Sequence, residues 1–185
     1  MRRAYSAILM ITLILLAACG RDEGKERFES FRAELLRADE VSVTAEVNAD
    51  YGESARDYTL KAVSNAEGCT VEVLAPELIA GIKASVKPKS SQLLYDGVVL
   101  DTGDLTGDGL TPLSALPRLI GALQSGHVDR IRREGDALAL RLTPDDTLEI
   151  SVRFGADGTP ISAELADSAS GRVLVTCAIS QFLMQ

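Results

Sequence analysis

Tryptophan is absent from this 185-residue chain, histidine occurs once, cysteine three times, and aromatic residues make up 4 % of it. Each shortage removes a class of function. Without tryptophan the chain lacks the usual platforms for stacking sugars or bases. One histidine and three cysteines do not furnish the Cys/His sets of structural zinc sites. A hydrolase needs a nucleophile, a base and an orienting group. The lone His127 follows a helix end, where a cation complements the helix dipole, and no Gly-x-Ser-x-Gly turn accompanies it. Basic residues are short as well: 19 Lys and Arg face 27 Asp and Glu. Such a surface is expected to repel nucleic acid and anionic lipid headgroups. Asp101, Asp104 and Asp108-Gly109 cluster in one loop, but the D-x-D-x-D-G spacing and distal glutamate of a calcium loop are missing, and the same residues make ordinary turns. The expectation is therefore a chain with no metal, no cofactor and no enzymatic activity.

What is present begins at the N-terminus. Arg2 and Arg3 precede an apolar stretch from Ala7 to Leu16, and small Ala17 and Ala18 precede Cys19. This is the layout of a secretory signal, too short for a confident permanent span. Leu16-Ala17-Ala18-Cys19 resembles the bacterial lipobox. The resemblance implies a diacylglyceryl group on the Cys19 sulfur, cleavage before it, and stable anchoring by two or three acyl chains. Residues 1–18 are thus read as a lipoprotein signal peptide, 19–25 as lipidated Cys19 and a tether, and 26–185 as one domain. The expected location is the extracytoplasmic face of a cell membrane, with the membrane as the anchor's partner. Without residues 1–18 the balance is 17 basic against 27 acidic residues, a net charge of −10.

Periodicity then supplies the elements. Phe28, Phe31, Leu35 and Leu36 share one face of a helix expected over Lys25–Ala38, with Arg27, Glu29, Arg32 and Glu34 on the solvated side. From Val41 the period changes to two, and short strands follow: about six up to Asp101, then five from His127 to Phe182. Asn65–Gly68 and Asp96-Gly97 mark hairpin turns. Ala75–Gly81 interrupts the alternation with one helical turn. Between the two strand runs, Leu113, Leu116, Ile120 and Leu123 stripe a second helix, capped by Thr111 or Ser114 and ended by Gly126. Short connections make the sheet antiparallel. A sheet that large must curl, and two helices are the only cover for its apolar face. The fold class expected is α+β, mainly β: a curved antiparallel half-barrel of 10–11 strands with two helices in its concavity.

That order resembles the LolA/LolB-like lipoprotein-carrier superfamily, in small LolA-like bacterial lipoproteins. The resemblance is carried by the phenylalanine-bearing first helix, by Cys69-Thr-Val-Glu-Val-Leu-Ala-Pro-Glu-Leu-Ile-Ala-Gly81, and by Leu94-Tyr-Asp-Gly-Val-Val-Leu-Asp101. It implies an apolar concavity that holds acyl chains. Candidates for its lining are Phe28, Phe31, Val71, Val73, Leu116, Ile120, Leu148, Ile150, Val152 and Val175. Phe28 and Phe31 are expected to face Val71, Val73, Ile150 and Val152. Two functions stay open: binding an acyl chain or an apolar peptide segment in the concavity, or a filled core working through its surface with envelope proteins. Cys69 and Cys177 sit at core positions of their strands, where either a disulfide or two free thiols is allowed.

Overall fold

The computed structural model describes residues 23–50, 52–87, 90–103 and 110–185. The signal region, Cys19, and Asp104 and Asp108 of the aspartate loop lie outside them.

Helix α1 (Glu23–Leu35) enters first. Two strand meanders follow, split by helix α2 (Pro112–Ser125). The first comprises β1 (Glu40–Asp50), β2 (Ala55–Asn65), β3 (Gly68–Ala75), β4 (Lys83–Lys87), β5 (Ser90–Tyr95) and β6 (Val98–Gly103). The second comprises β7 (His127–Glu134), β8 (Ala137–Asp145), β9 (Leu148–Phe154), β10 (Pro160–Asp167) and β11 (Val173–Met184). All eleven pair antiparallel in one open, curved sheet, in the order β6-β5-β4-β3-β2-β1-β11-β10-β9-β8-β7. The first and last strands meet in the middle, Val43 opposite Phe182 and Val47 opposite Cys177. Helix α2 leaves one outer edge and delivers the chain to the other, so it has to cross the concave face.

The alternation places the core. Val41, Val43, Ala45, Val47 and Ala49 of β1 are buried on one face, together with Leu60, Ala62, Val71, Val73 and Ala84 on the neighbouring strands. On the other wing the same face carries Leu138, Leu140, Leu142, Leu148, Ile150, Val152, Phe154, Leu165 and Val175. Among the described residues the buried apolar core runs from Phe28 to Cys177, so the domain carries its own core. The Asp96-Gly97 turn closes β5 and β6 with φ of +49° and +79°, the left-handed pair that a two-residue hairpin requires.

Helix α2 is capped by Thr111, whose side chain accepts from the Ser114 backbone N–H while the Ser114 hydroxyl accepts from that of Thr111. Pro112 takes the first position, where a missing N–H costs nothing. Helix α1 differs from expectation at both ends. It begins at Glu23, inside the expected tether, and stops at Leu35. Leu36 falls in the following turn and is 61 % exposed, off the buried face it was assigned to. The Ala75–Gly81 turn is a single 3-10 turn at Glu77–Ile79.

Candidate functional site

The concave face has two unlike ends. Under α1, side chains fill it. Phe31 meets Phe154 edge-on at 4.9 Å between ring centroids and Phe182 at 5.7 Å, while Phe28 lies 6.1 Å from Phe154. These are all four phenylalanines of the chain. The two rings of α1 thus face Phe154 and Phe182, and the helix packed closely on β3 is α2.

Two arginines fasten this cluster. Arg27 donates to the carbonyl oxygens of Asp136 at 2.9 Å and Gly155 at 3.1 Å. Arg32 donates to the carbonyls of Leu123 at 2.8 Å and Gly126 at 2.9 Å, and its guanidinium lies 4.5 Å from the Phe28 ring centre. Neither belongs to a merely solvated face. Arg32 closes the C-terminus of α2, where helix carbonyls lack partners and a cation is favoured. Burial lowers its pKa from the usual value, against the pull of Glu29. His127 does not take that place: its side chain is 80 % exposed, with Nε2 3.8 Å from Asp129.

Under the first turn of α2 the face is open. A pocket of about 310 Å³ is lined by Tyr58, Val73, Ile79, Ile82, Leu93, Thr111, Pro112 and Leu113. Its walls are almost wholly apolar. The register continues them toward the free edge: Leu93 faces Leu100, and Tyr95 faces Val98. Val98 and Leu100 remain 58 % and 59 % exposed. Leu78, on the 3-10 turn beside the pocket wall residue Ile79, is exposed too. A pocket that opens onto an exposed apolar strip has the makings of a binding site for an apolar segment. Two larger hollows have walls of mixed polar and apolar character. One, about 480 Å³, is lined by Glu46, Asn48, Asp57 and Thr59 among others. The other, about 620 Å³, lies between α1 and β7 beside Lys25, Glu29 and Asp129. Among the described residues no three His, Cys, Asp or Glu side chains are grouped to hold a metal.

Of the ten expected lining residues, Val73 lies in the wall of the apolar pocket. Phe28, Phe31, Val71, Leu116, Ile120, Leu148, Ile150, Val152 and Val175 belong to the packed core. Ile79, Ile82, Leu93 and Leu113 line the pocket without having been singled out for it. Part of their signal was present in the sequence: Ile79 lies in the interruption at Ala75–Gly81, Ile82 directly follows it, and Leu113 begins the second helical stripe.

The thiols are free and buried, so the alternative of a disulfide is corrected. Cys69 on β3 and Cys177 on β11 are separated by β2 and β1, about 14 Å at the usual strand spacing. The ladder from Cys69 runs through Ser64 and Val41 to Met184, seven residues along β11 from Cys177. Burial pushes each thiol up to about 12, which a hydrogen bond with Ser64 slightly opposes at Cys69.

No family model and no curated protein matches the sequence. Solved structures do match in shape. A putative outer membrane lipoprotein-sorting protein domain from Vibrio parahaemolyticus aligns with a TM-score of 0.51 at 10 % identity, covering 89 % of this chain and 93 % of that one. The fold is LolA-like. A LolA superfamily protein from Nitrosomonas europaea gives 0.49 at 13 % identity, covering 88 % and 93 %. The GerS–CwlD complex, a lipoprotein with an amidase from Clostridioides difficile, gives 0.46 at 17 %, covering 87 % and 95 %. In this chain, the LolA-like concavity is half closed by its own side chains.

Proposed function

We propose that the chain is a lipid-anchored extracytoplasmic module that binds one apolar segment, an acyl chain or an apolar stretch of a protein, in the pocket under the first turn of α2. The observation that carries this is the 310 Å³ apolar pocket and its continuity with the exposed strip at β5–β6. That volume sits at the lower end of ligand pockets. It suits a single chain or a few side chains, and not the two or three acyl chains of another lipoprotein. The lipoprotein sorting named for the Vibrio domain is therefore not carried over to this chain. The reading is of a binder and not of an enzyme. The anchor is Cys19, by its lipobox-like setting.

A fluorescent fatty acid tests the pocket. The wild-type domain is expected to bind it saturably, and Leu93→Lys to lose binding while its circular dichroism and melting stay close to wild type. Wild type that binds neither the fatty acid nor an apolar peptide would leave the second reading, a filled domain that meets envelope proteins through its surface. The phenylalanine cluster under α1 is the observation that favours it. The anchor is tested separately by metabolic labelling with a fatty-acid analogue, which Cys19→Ala should abolish.

A further inference from the structure

The surplus of acid in this chain is not evenly spread. On the outward face of β7–β9, Arg130 stands directly opposite Arg141, and Arg132 and Arg153 flank Ala139 in the next row of that face. Together with Glu134 they line a groove of about 160 Å³. Two of the four are paired, Arg141 with Glu149 at 3.3 Å and Arg153 with Glu134 at 3.2 Å. Asp129, on the same strand, is taken by the Thr143 hydroxyl and lies beside His127. Arg130 and Arg132 are exposed and have no carboxylate within ion-pair reach among the described residues. Like charges opposite each other across a ladder are unfavourable unless an anion lies between them. Guanidinium forks match phosphate oxygens in particular.

The place of this groove in the chain says which phosphate. Helix α1 starts at Glu23, which is ion-paired to Arg133 of the same edge strand. Cys19 is four residues earlier, at most about 14 Å along an extended chain. The described chain therefore begins at the β7 edge, no more than that length of chain from Cys19.

We propose that the arginine groove of β7–β9 docks on the phosphates of anionic phospholipids in the membrane that carries the anchor. It rests on the anchor reading for its choice of surface. Carboxylates elsewhere do not cancel it, because screening confines their field to about 10 Å. The expectation drawn from net charge is thereby reversed for this one face. Docking there turns the apolar pocket away from the bilayer: its wall strands β3 and β5 lie seven and nine places along the sheet from β7.

The test uses the domain from Gly20 onward, which contains the whole core and no anchor. Co-sedimentation is measured with vesicles of phosphatidylcholine, with and without phosphatidylglycerol. The wild-type domain should bind only the anionic vesicles, and less as salt rises. Arg130→Ala/Arg132→Ala should weaken binding roughly 30-fold, the effect of two surface cations, whereas Arg56→Ala/Lys61→Ala should not. No binding to anionic vesicles at low salt, equal binding to both vesicles, or equal loss in both double variants would overturn the proposal. Millimolar inorganic phosphate that stabilises the wild type and abolishes vesicle binding would assign the groove to a free anion and overturn it as well. Failure of the anchor shows only as loss of fatty-acid label on the full chain, which the arginine variants should retain.

Discussion

Beneath α1 the sheet's two phenylalanine rings meet the helix's two, with two arginine clamps beside them; beneath the first turn of α2 the sheet meets Thr111, Pro112 and Leu113 and leaves a pocket. The same sheet, with the same alternation of inward side chains, underlies both. The difference comes from the size of the side chains each end receives. Strands β9 and β11 bring Phe154 and Phe182 to meet Phe28 and Phe31, whereas β3 and β5 bring Val73 and Leu93, with Ile82 just before β4. A half-barrel can thus be closed at one end and open at the other without any change of fold, because a helix covers only what its side chains reach.

The comparison can be broken first at its filled end. Phe31→Ala should cost about 3–5 kcal/mol, the range for truncating a buried phenylalanine, read as a drop in denaturation midpoint. Leu113→Ala, at the open end, should cost under about 1 kcal/mol because it already borders a void. Equal costs would show that the two ends are packed alike.

Arg32→Leu should come next, at about 1.5–3 kcal/mol, since it removes the donors to the Leu123 and Gly126 carbonyls. Hydrogen exchange should then rise in the last turn of α2 before it rises at Thr111. Exchange that rises first at Thr111 would mean that the helix is held from its other end.

Filling the open end should change binding more than stability. Leu93→Trp is expected to shift the melting temperature by no more than a few degrees while reducing capture of the fluorescent fatty acid at least tenfold. Undiminished capture would place the ligand elsewhere.

The smallest effect involves neither end. Hydrogen bonds from Gly52 and Arg172, from Thr159, and from Ser170 hold the carboxyls of Asp50, Asp157 and Asp167 below their ordinary 3.8. A lowered folded-state pKa gives stability that is complete above the unfolded value and lost as pH falls through the folded one. Melting should therefore be flat down to about pH 4 and decline below it, and the triple Asn variant should flatten the decline.

Period-two patterning made the strands legible, because burial on one face enforces alternation residue by residue. The Asp96-Gly97 hairpin and the Thr111 cap were legible for the same local reason. What the sequence hid was set by register. Arg32 reads as one charge among several on a polar face until α2 brings its last carbonyls beside it, 90 residues away. Leu36 continues the heptad-like spacing, but the helix has already ended. The open end was hidden as well, since Val71 and Val73 have the same pattern and only Val73 reaches the pocket. Composition misleads in a similar way: it totals charge without placing it, and four arginines on one face vanish in a net charge of −8.

The two shielded sulfurs have a practical consequence for spectroscopy. With both thiols buried and their pKa pushed up to about 12, alkylating dyes at neutral pH meet almost no thiolate in the folded domain. A single cysteine placed at Val99 or Arg130 would then be the sole reactive position of the domain from Gly20 onward. A nitroxide or fluorophore attached there would report on one edge of the sheet at a time, without first removing the native residues that the interior is packed around.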